Sequence, residues 1–413
     1  MLTVLTVEEA QQRIINSLNG KLTEIENISL LDALGCVTAK EIVAAEPIPS
    51  FARSTMDGFA VRSSDTFGAS ESIPVLLTLK GNILMGKKPP GNLEPGETMS
   101  IPTGGMLPPG SDSVVMVEFS EILGDQVAIY SPAAPLANMI RIGEDFEQGS
   151  MVLPAGQAIR YQDVGVLSAL ACLELEVYSR PKVVILSTGD EIISPKEQPK
   201  PGQIRDINGL ALSAQVLKNG GIPQYQGIVA DEKTKLRENL LALLDNFDVV
   251  IVSGGSSVGT RDITAEVIDE VPGGGVLFHG VSMSPGKPVI YGTGGGKPIF
   301  GLSGNPVSAM FSFMLFVKPA LRMLQGLAPF PEFSSYIEAR LKTNLSSPGG
   351  REDYIRVALT KEQSPGGETI FWARPVFGGS SLLSTMVKGD GYFVIPRDVE
   401  GFSEGDKVRV FLF

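Results

Sequence analysis

Residues 181–327 alternate between short apolar runs and amphipathic stretches, and this alternation constrains the fold more than any other feature of the chain. The apolar runs KVVILST, QYQGIVA and DVVIVSGG are each followed by a stretch with apolar residues at helical spacing. Strand–helix alternation with short connections is typical of a parallel sheet with right-handed crossovers. We therefore predict an α/β domain over residues 181–327.

The rest of the chain has a different pattern. Short apolar runs broken by Gly and Pro predict β structure in residues 49–145 and 328–413. Helical patterns occur after Thr6, which forms a capping-box signature with Glu9, and in LLDALGCVTA and QDVGVLSALACL. We predict a multidomain α/β plus β protein with a split, mixed N-terminal domain (1–48 and 146–180), an inserted β domain (49–145), the α/β domain and a C-terminal β-barrel domain (328–413).

Charge and composition exclude several functional classes. The 413-residue chain has a formal net charge of −12 and no run of Lys or Arg, which argues against a nucleic-acid or anionic membrane surface. Cys36 and Cys172 lie in apolar surroundings, which favours buried thiols in a reducing compartment over a disulfide. The single histidine, His279, excludes a histidine-rich metal site.

The N-terminal sequence and the most apolar helix bear on location. The start lacks the basic region of a signal peptide. The uncharged run within residues 306–324 is shorter than the roughly 20 residues needed to span a bilayer. We expect a cytoplasmic protein in which this helix is buried and bent at Pro319.

Acidic residues follow successive strands of the α/β region. Asp190 and Glu191 follow the first strand, Asp231 follows the second, and Asp262 ends the Gly/Ser loop after the third. Ligands of open α/β sheets bind outside the carboxyl ends of the strands, and oxygen ligands suit Mg²⁺. Taken singly, the aspartates at helix starts are explained better by N-capping. Their joint placement favours a tentative Mg²⁺ site at Glu191, Asp231 and Asp262.

The Gly/Ser loop itself is a candidate anion site. Small residues leading into a helix expose backbone N–H groups, as in anion-binding nests. The loop lacks the lysine of a Walker A motif, and alone it is weak support for phosphate binding. The candidate substrate-binding residues in it are Ser253, Gly254, Gly255, Ser257 and Gly259.

A second anion site is suggested further along the chain. Lys287 lies in a Gly/Pro turn, where it is either a solvated lysine or an anion-binding cation. Ser303 and Asn305 precede Pro306 at the start of the apolar helix, an arrangement that simple capping explains better than an anion site does.

The order of several motifs identifies a resemblance. STMDGFAV, IPTGG, RIGEDF, STGDE, GQIRDING, SGGSSVG, PGKP and GLSGNPVSA occur in the order expected of molybdopterin molybdenumtransferases, the MoeA family, which includes the E domain of gephyrin. The resemblance runs from about residue 5 to the C-terminus. It implies that molybdate is inserted into adenylated molybdopterin, releasing AMP and forming molybdenum cofactor. It also implies Mg²⁺, a homodimer with an active site shared between subunits, and the molybdopterin adenylyltransferase as a partner.

The resemblance also implies roles for individual residues. Asp57, Thr103 and Asp145 match positions on the β-domain side of the family's active site. Lys287 matches a lysine of the proposed molybdate pocket. The acidic positions around the nucleotide phosphates and metal are Glu191, Asp231 and Asp262, and the C-terminal contributors are Arg351 and Ser381.

Two positions depart from the family pattern. Ser284 stands where the family often has Lys, and Ser303 where it often has Pro. Loss of a formal charge at position 284 predicts weaker molybdate binding, since a close charge contact contributes on the order of 1–4 kcal/mol.

Two other functions remain open from the sequence. The first is a molybdopterin adenylyltransferase, whose fold residues 181–327 resemble, although the two flanking β regions argue against it. The second is a non-catalytic, gephyrin-like scaffold, against which the retained Asp57, Thr103, Glu191 and Asp262 argue.

Overall fold

A computed structural model describes residues 4–254, 260–332, 335–363 and 366–413, with only the backbone described for 260–262. The chain forms two compact units. The first comprises residues 1–27, 35–39 and 176–413, and the second comprises 28–34 and 40–175. The four-domain division expected from the sequence stays a prediction.

The helices, in chain order, are α1 (Val7–Leu18), α2 (Tyr161–Ala169), α3 (Asn208–Lys218), α4 (Lys233–Leu244), α5 (Thr260–Asp269), α6 (Pro306–Ser312), α7 (Lys318–Leu324) and α8 (Ser384–Val387). The strands, in chain order, are β1 (Ile25–Ser29), β2 (Val37–Thr38), β3 (Ile42–Val43), β4 (Arg53–Ser54), β5 (Gly58–Val61), β6 (Val75–Asn82), β7 (Glu97–Ile101), β8 (Ser113–Met116), β9 (Ser120–Leu123), β10 (Gln126–Ile129), β11 (Met139–Ile140), β12 (Met151–Leu153), β13 (Glu174–Tyr178), β14 (Lys182–Thr188), β15 (Ile192–Ile193), β16 (Ile204–Arg205), β17 (Ile222–Val229), β18 (Val249–Gly254), β19 (Gly275–His279), β20 (Met283–Ser284), β21 (Ile290–Gly294), β22 (Lys297–Ser303), β23 (Tyr336–Leu341), β24 (Leu345–Ser346), β25 (Glu352–Gln363), β26 (Thr369–Pro375), β27 (Gly391–Ile395), β28 (Gly401–Phe402) and β29 (Lys407–Leu412).

The first unit is built on a six-stranded sheet in the order β17-β14-β18-β22-β21-β19. The first four strands are parallel, as the alternation predicts, whereas β21 runs antiparallel to both of its neighbours. Side chains of β14 alternate between two cores: Val183 and Ile185 pack with α1 and α3 residues, and Val184 and Leu186 pack with α4 and α5 residues. Burial on both faces explains why the four central residues of the strand, 183–186, are all apolar.

The apolar helix predicted near the end of this region is built from α6, a π-helical turn at Phe313–Val317, and α7. Pro319 lacks the N–H that would bond to Leu315, and the side chain of Gln11 donates to the Leu315 carbonyl instead, at 3.1 Å. The stretch Pro306–Leu324 is long and apolar enough to span a membrane by length and composition alone. Because 67% of its most apolar window is buried inside the protein, it has the environment of a core helix.

The C-terminal part of the first unit is a closed barrel, as predicted. Strands β25, β26, β23, β29 and β27 follow one another, and pairing of β25 with β27 closes the ring. Alternate residues such as Leu341, Val357 and Phe393 point into a compact apolar core. The short strand β20 joins the outside of the barrel by pairing with the start of β25.

The second unit contains a six-stranded sheet in the order β8-β5-β7-β6-β10-β9. Phe59 and Val61 pack on one side of β5, and Ala60 packs on the other. Helix α2 forms where the sequence predicts it, and Asp163 accepts hydrogen bonds from the backbone and side chain of Arg160 at its start.

Two local predictions at the N-terminus had opposite outcomes. The Thr6–Glu9 capping box at the start of α1 is confirmed. The helix predicted over residues 30–39 is wrong: residues 30–35 form turns and Val37–Thr38 is a strand. Gly35, with a φ of +78°, ends the turns in a conformation that a continuing α-helix does not allow.

Candidate active site

Four strands of the α/β sheet end at a common edge in the first unit. Thr188 at the end of β14 lies opposite Val229 on one side and Gly254 on the other, and Gly254 in turn lies opposite Ser303. This register places the residues that follow β14 and β17 beside one another. The edge is therefore assembled as the parallel-sheet prediction requires.

Carboxylates gather at this edge, and we call Asp190, Glu191 and Asp231, with the neighbouring Thr188, the acidic edge. The Thr188 hydroxyl donates to the Asp231 carboxylate at 3.0 Å. Burial raises the pKa of Asp231, and the negative charges of Asp190 and Glu191 raise it further, against the opposing effect of the Thr188 hydrogen bond. The charges of Asp190 and Glu191 thus act on Asp231 at this edge.

The capping explanation of Asp231 is wrong. Helix α4 begins at Lys233, and its N-cap residue is Glu232, whose side chain makes no capping hydrogen bond. The Asp231 carboxylate instead accepts a hydrogen bond from the adjacent strand end. Asp262 lies inside α5, which begins at Thr260, and its side chain is outside the described part of the structure. The predicted Gly255, Ser257 and Gly259 are also outside the described residues.

The last residues of β18 approach their neighbours closely. A Cβ on Gly254 would lie 2.2 Å from the Thr188 carbonyl oxygen, so only glycine fits between the paired strands. Ser253 is buried, and its hydroxyl accepts a hydrogen bond of 2.8 Å from the side chain of Asn208.

Asn208 is a site residue that the sequence analysis did not single out. Its side-chain amide also donates to the carbonyl of Gly304 at 2.9 Å, so it ties the end of β18 to the loop after β22. The signal was present in the GQIRDING motif, which carried the resemblance but suggested no contact for this residue.

The donor chemistry of the acidic edge fits Mg²⁺. Its side chains offer carboxylate oxygens, and Mg²⁺ is usually held by one or two carboxylates together with substrate phosphates and water. Among the described residues, no group of three or more His, Cys, Asp or Glu side chains is arranged to hold a metal ion. The fit to Mg²⁺ therefore rests on the oxygen chemistry of the donors.

A second feature of the first unit is a cleft of about 550 Å³ between the 283–288 turn and the barrel, which we call the basic cleft. Three of its lining residues are cations and one is a carboxylate, which leaves a net of two positive charges. The lining residues are Met283, Ser284, Pro285, Gly286, Lys287, Pro288, Ser303, Asn305, Ser308, Arg351, Asp353, Tyr354, Ile355, Arg356, Val376, Phe377, Gly378, Gly379 and Ser380.

The three cations of the basic cleft differ in their surroundings. Arg351 is paired with Asp353 at 2.8 Å, and Asp353 also accepts a hydrogen bond from Ser347. Lys287 is exposed and forms no ion pair within the described ranges. Arg356, which the sequence analysis did not single out, is buried in the barrel wall, with 8% of its surface exposed.

The helix start beside the cleft follows the sequence prediction. Asn305 is the N-cap residue of α6 and Pro306 is its first residue, although the Asn305 side chain makes no capping hydrogen bond. The Ser303 hydroxyl accepts a hydrogen bond from the Asn305 backbone at 3.3 Å. Ser303 and Asn305 line the cleft. The predicted Ser381 is exposed and is not among the lining residues, whereas the preceding residue, Ser380, is.

The remaining candidates lie in the second unit. Asp57 and Thr103 are brought together, because the Asp57 carboxylate accepts a hydrogen bond of 2.7 Å from the Thr103 backbone N–H. Asp145 is exposed, and its backbone N–H donates to the Ile48 carbonyl at 3.0 Å. Asp57 therefore has a structural role in holding a turn, in addition to any role towards a substrate.

The fold and the two charged features define a multidomain α/β protein that presents carboxylates and a cationic cleft for a charged ligand. Family models match almost the whole chain: the MoeA N-terminal region (domains I and II) at residues 5–171, a probable molybdopterin binding domain at 184–323, and the MoeA C-terminal region (domain IV) at 338–413.

Individual proteins agree with these family models. A protein named molybdopterin molybdenumtransferase 2 from Mycobacterium tuberculosis is 34% identical over 93% of this chain and 94% of that protein. The molybdopterin molybdenumtransferase of Bacillus subtilis is 30% identical over 99% and 94%, respectively. A crystal structure of a MoeA molybdopterin biosynthesis protein from Pyrococcus horikoshii matches with a TM-score of 0.84 at 31% identity, covering 100% of both chains. The chain belongs to the MoeA family.

Proposed function

We propose that this protein is a molybdopterin molybdenumtransferase, which inserts molybdenum into molybdopterin during molybdenum cofactor biosynthesis. The observation that carries the proposal is the basic cleft, which combines three cations with one carboxylate in a family whose named relatives have this activity. Two net positive charges complement a dianionic oxyanion such as molybdate. The finer form of the proposal is that the pterin substrate is adenylated and that AMP is released.

The acidic edge supports a role at the phosphate end of this substrate. Glu191 and Asp231 would hold Mg²⁺, with Asp262 as a third candidate from the sequence. When bound there, Mg²⁺ would neutralise and polarise the substrate phosphates. The Thr188 hydrogen bond would orient Asp231 for this role. The Asn208 side chain holds Ser253, at the end of β18, beside the loop that contains Gly304.

The basic cleft supports a role at the oxyanion end. Lys287 is exposed and can approach an anion in the cleft, while Arg351 is held by Asp353. Ser303 connects the two features, since it pairs with Gly254 at the sheet edge and also lines the cleft. A substrate extending from the acidic edge past Ser303 would place its reacting end near the cleft cations.

A transfer assay tests the proposal. Purified protein is incubated with adenylated molybdopterin, Mg²⁺ and sodium molybdate, and we expect AMP and molybdenum cofactor in equal amounts. Cofactor is measured by activation of a cofactor-free molybdenum enzyme. Adenylated product formed from ATP and molybdopterin would instead identify an adenylyltransferase. No release of AMP with the complete mixture would favour a scaffold.

The proposal includes a homodimer with shared active sites, as the resemblance implies. Asp57, Thr103 and Asp145 would then act together with the acidic edge and basic cleft of the partner subunit. Co-expression of Asp57→Ala and Lys287→Met chains tests this, because each mixed dimer retains one intact site. We expect recovery of about a quarter of the wild-type activity, and no recovery would contradict shared sites. A cytoplasmic location and contact with the adenylyltransferase remain expectations, testable by cell fractionation and co-purification.

A further inference from the structure

Asn208, at the start of α3, connects the sheet edge to the loop beside the basic cleft. It is buried, with 6% of its surface exposed. Its side-chain nitrogen donates to the Ser253 hydroxyl at 2.8 Å and to the Gly304 carbonyl at 2.9 Å, and the Ser303 carbonyl lies 3.3 Å away. One amide group therefore holds together two segments that are far apart in sequence.

The two ends of this bridge belong to the two charged features. One end, Ser253, precedes the residue that pairs with Thr188 of the acidic edge. The other end, Gly304, lies between Ser303 and Asn305, which line the basic cleft. A movement of either segment therefore acts on the same side-chain amide.

The partners of Asn208 fix the orientation of its amide. The carbonyls of Ser303 and Gly304 can only accept hydrogen bonds, so the nitrogen has to face them. The side-chain oxygen is buried and has no partner among the described residues. Both N–H groups are thus committed to the bridge, and a buried donor that loses its acceptor destabilises the protein. Separation of the two segments is therefore opposed.

The first turn of α3 holds Asn208 in place. The buried Asp206 carboxylate accepts hydrogen bonds from the Gly209 backbone N–H at 3.2 Å and from the Tyr225 hydroxyl of β17 at 2.6 Å. A Cβ on Gly209 would lie 2.3 Å from a ring carbon of Tyr225, so the start of the helix packs directly on the strand. The bridge is therefore anchored to the sheet and cannot follow one segment away from the other.

We propose that Asn208 is a positioning residue that couples ligand binding at the acidic edge to ligand binding in the basic cleft. A ligand that holds the end of β18 in its bridged position favours the bridged position of the 303–305 loop, and a ligand in the cleft has the converse effect. Such coupling is reciprocal, so each ligand changes the affinity of the other by the same factor. The inference rests on the proposed function, which assigns the substrate phosphates to one feature and molybdate to the other.

A simpler explanation is that Asn208 only stabilises the fold. Gln325 provides a matched control, because it is also buried, and its side-chain nitrogen donates to the carbonyls of Asn219 at 3.2 Å and Leu321 at 2.8 Å. It therefore joins the ends of α3 and α7, and none of these residues belongs to the acidic edge or lines the basic cleft. Gln325→Ala removes a bridge of the same kind at the opposite end of α3.

The experiment is calorimetric titration of full-length protein with sodium molybdate, with and without saturating AMP and Mg²⁺. The ratio of the two dissociation constants is the coupling factor. We expect wild type to bind molybdate about fivefold or more tightly when AMP and Mg²⁺ are present. Asn208→Ala should bring the ratio to within about twofold of one, whereas Gln325→Ala should keep the wild-type ratio. Titration of AMP with and without molybdate should give the same factor in each protein.

Several results would overturn the inference. These are independent binding of the two ligands to wild type, a wild-type ratio in Asn208→Ala, and an equal loss of coupling in Gln325→Ala, which indicates a purely structural role. If Asn208→Ala does not fold, Ser253→Ala removes one end of the bridge and decides, because it must also lose the coupling.

The wild-type transfer assay separates this inference from the proposed function. A wild type that forms molybdenum cofactor but binds molybdate and AMP independently overturns the role of Asn208 alone. A wild type that releases no AMP in the complete mixture overturns the proposed function and, with it, the coupling that depends on it.

Discussion

The acidic edge and the basic cleft belong to the same compact unit but carry charges of opposite sign. At the acidic edge, burial and then the charges of Asp190 and Glu191 raise the pKa of Asp231, and these three carboxylates form no ion pair within the described part of the chain. In the basic cleft, Arg351 is paired with Asp353, while Lys287 and Arg356 form no ion pair among the described residues.

This difference indicates ligands of opposite sign. Uncompensated carboxylates favour a cation, and uncompensated cations favour an anion, because a bound counter-charge relieves the repulsion in each. A substrate that carries metal-bound phosphates at one end and meets an oxyanion at the other needs both. The predictions that follow test whether the two features have separate roles.

The largest effect is expected at Lys287. Lys287→Met removes a cleft cation while keeping an aliphatic chain, and kcat/KM for molybdate should fall by about 100-fold. Transfer assays at several molybdate concentrations measure this, with Lys361→Met on the exposed part of β25 as the control. A similar decrease in kcat/KM in Lys361→Met, or no decrease in Lys287→Met, would contradict a specific role for Lys287 in the basic cleft.

The next effect is one of stability at the acidic edge. Gly254→Ala should lower the free energy of unfolding by about 2 kcal/mol or more, because its Cβ would lie 2.2 Å from the Thr188 carbonyl. Denaturant titration measures this. Gly165→Ala is a control for which the opposite sign is expected. A Cβ at this position in helix α2 would meet no atom within 4 Å. The substitution should therefore raise the free energy of unfolding by up to about 1 kcal/mol. Wild-type stability in Gly254→Ala would show that the paired strands can separate there.

A smaller gain is expected from restoring a charge in the cleft. Ser284 lines the basic cleft, and Ser284→Lys should tighten molybdate binding by about fivefold. Ser284→Gln has a similar length without the charge and should show no gain. Equal affinity in wild type and Ser284→Lys would remove the idea that this chain has a weakened oxyanion site.

The smallest effect concerns Asp231 and pH. Since the pKa of this carboxyl is raised in the folded protein, its contribution to the free energy of unfolding falls as pH rises through the window between the unfolded and folded pKa values. Without Mg²⁺, Asp231→Asn should therefore be more stable than wild type at neutral pH by a few tenths of a kcal/mol, because solvent screens a partly exposed charge, and the gain should be smaller in acid.

Thermal unfolding at several pH values measures this gain. Glu238→Gln, on the exposed side of α4, serves as the control and should show no such pH-dependent gain. Added Mg²⁺ should stabilise wild type more than Asp231→Asn. A variant less stable than wild type at every pH would show that the Thr188 contact outweighs the repulsion.

Sequence reasoning predicted the parts of the site that follow from periodicity. The edge that carries Asp190, Asp231 and Gly254 follows from strands that run in parallel, and the positions of Asn305 and Pro306 follow from local capping rules. Local rules could not choose between the two explanations of Asp231. The N-capping alternative is excluded only by the tertiary contact with Thr188 on the neighbouring strand.

The residues missed by sequence reasoning share a physical cause. Arg356 and Asp353 are ordinary alternating residues of a barrel strand, and only the folded cleft shows that one is unpaired and the other is paired with Arg351. Asn208 stood in a motif, yet its bridge to Ser253 and Gly304 spans long sequence separations. Charge balance and long-range hydrogen bonds are properties of the fold, and no local pattern records them.

The separation of roles is tested most directly by titrating molybdate, in the absence of pterin and Mg²⁺, into wild type, Lys287→Met and Asp231→Asn. The account predicts that Lys287→Met loses about tenfold or more in affinity, whereas Asp231→Asn binds as tightly as wild type or slightly more tightly. Equal losses in both variants, or a loss only in Asp231→Asn, would contradict the assignment of the oxyanion to the basic cleft and of the metal to the acidic edge.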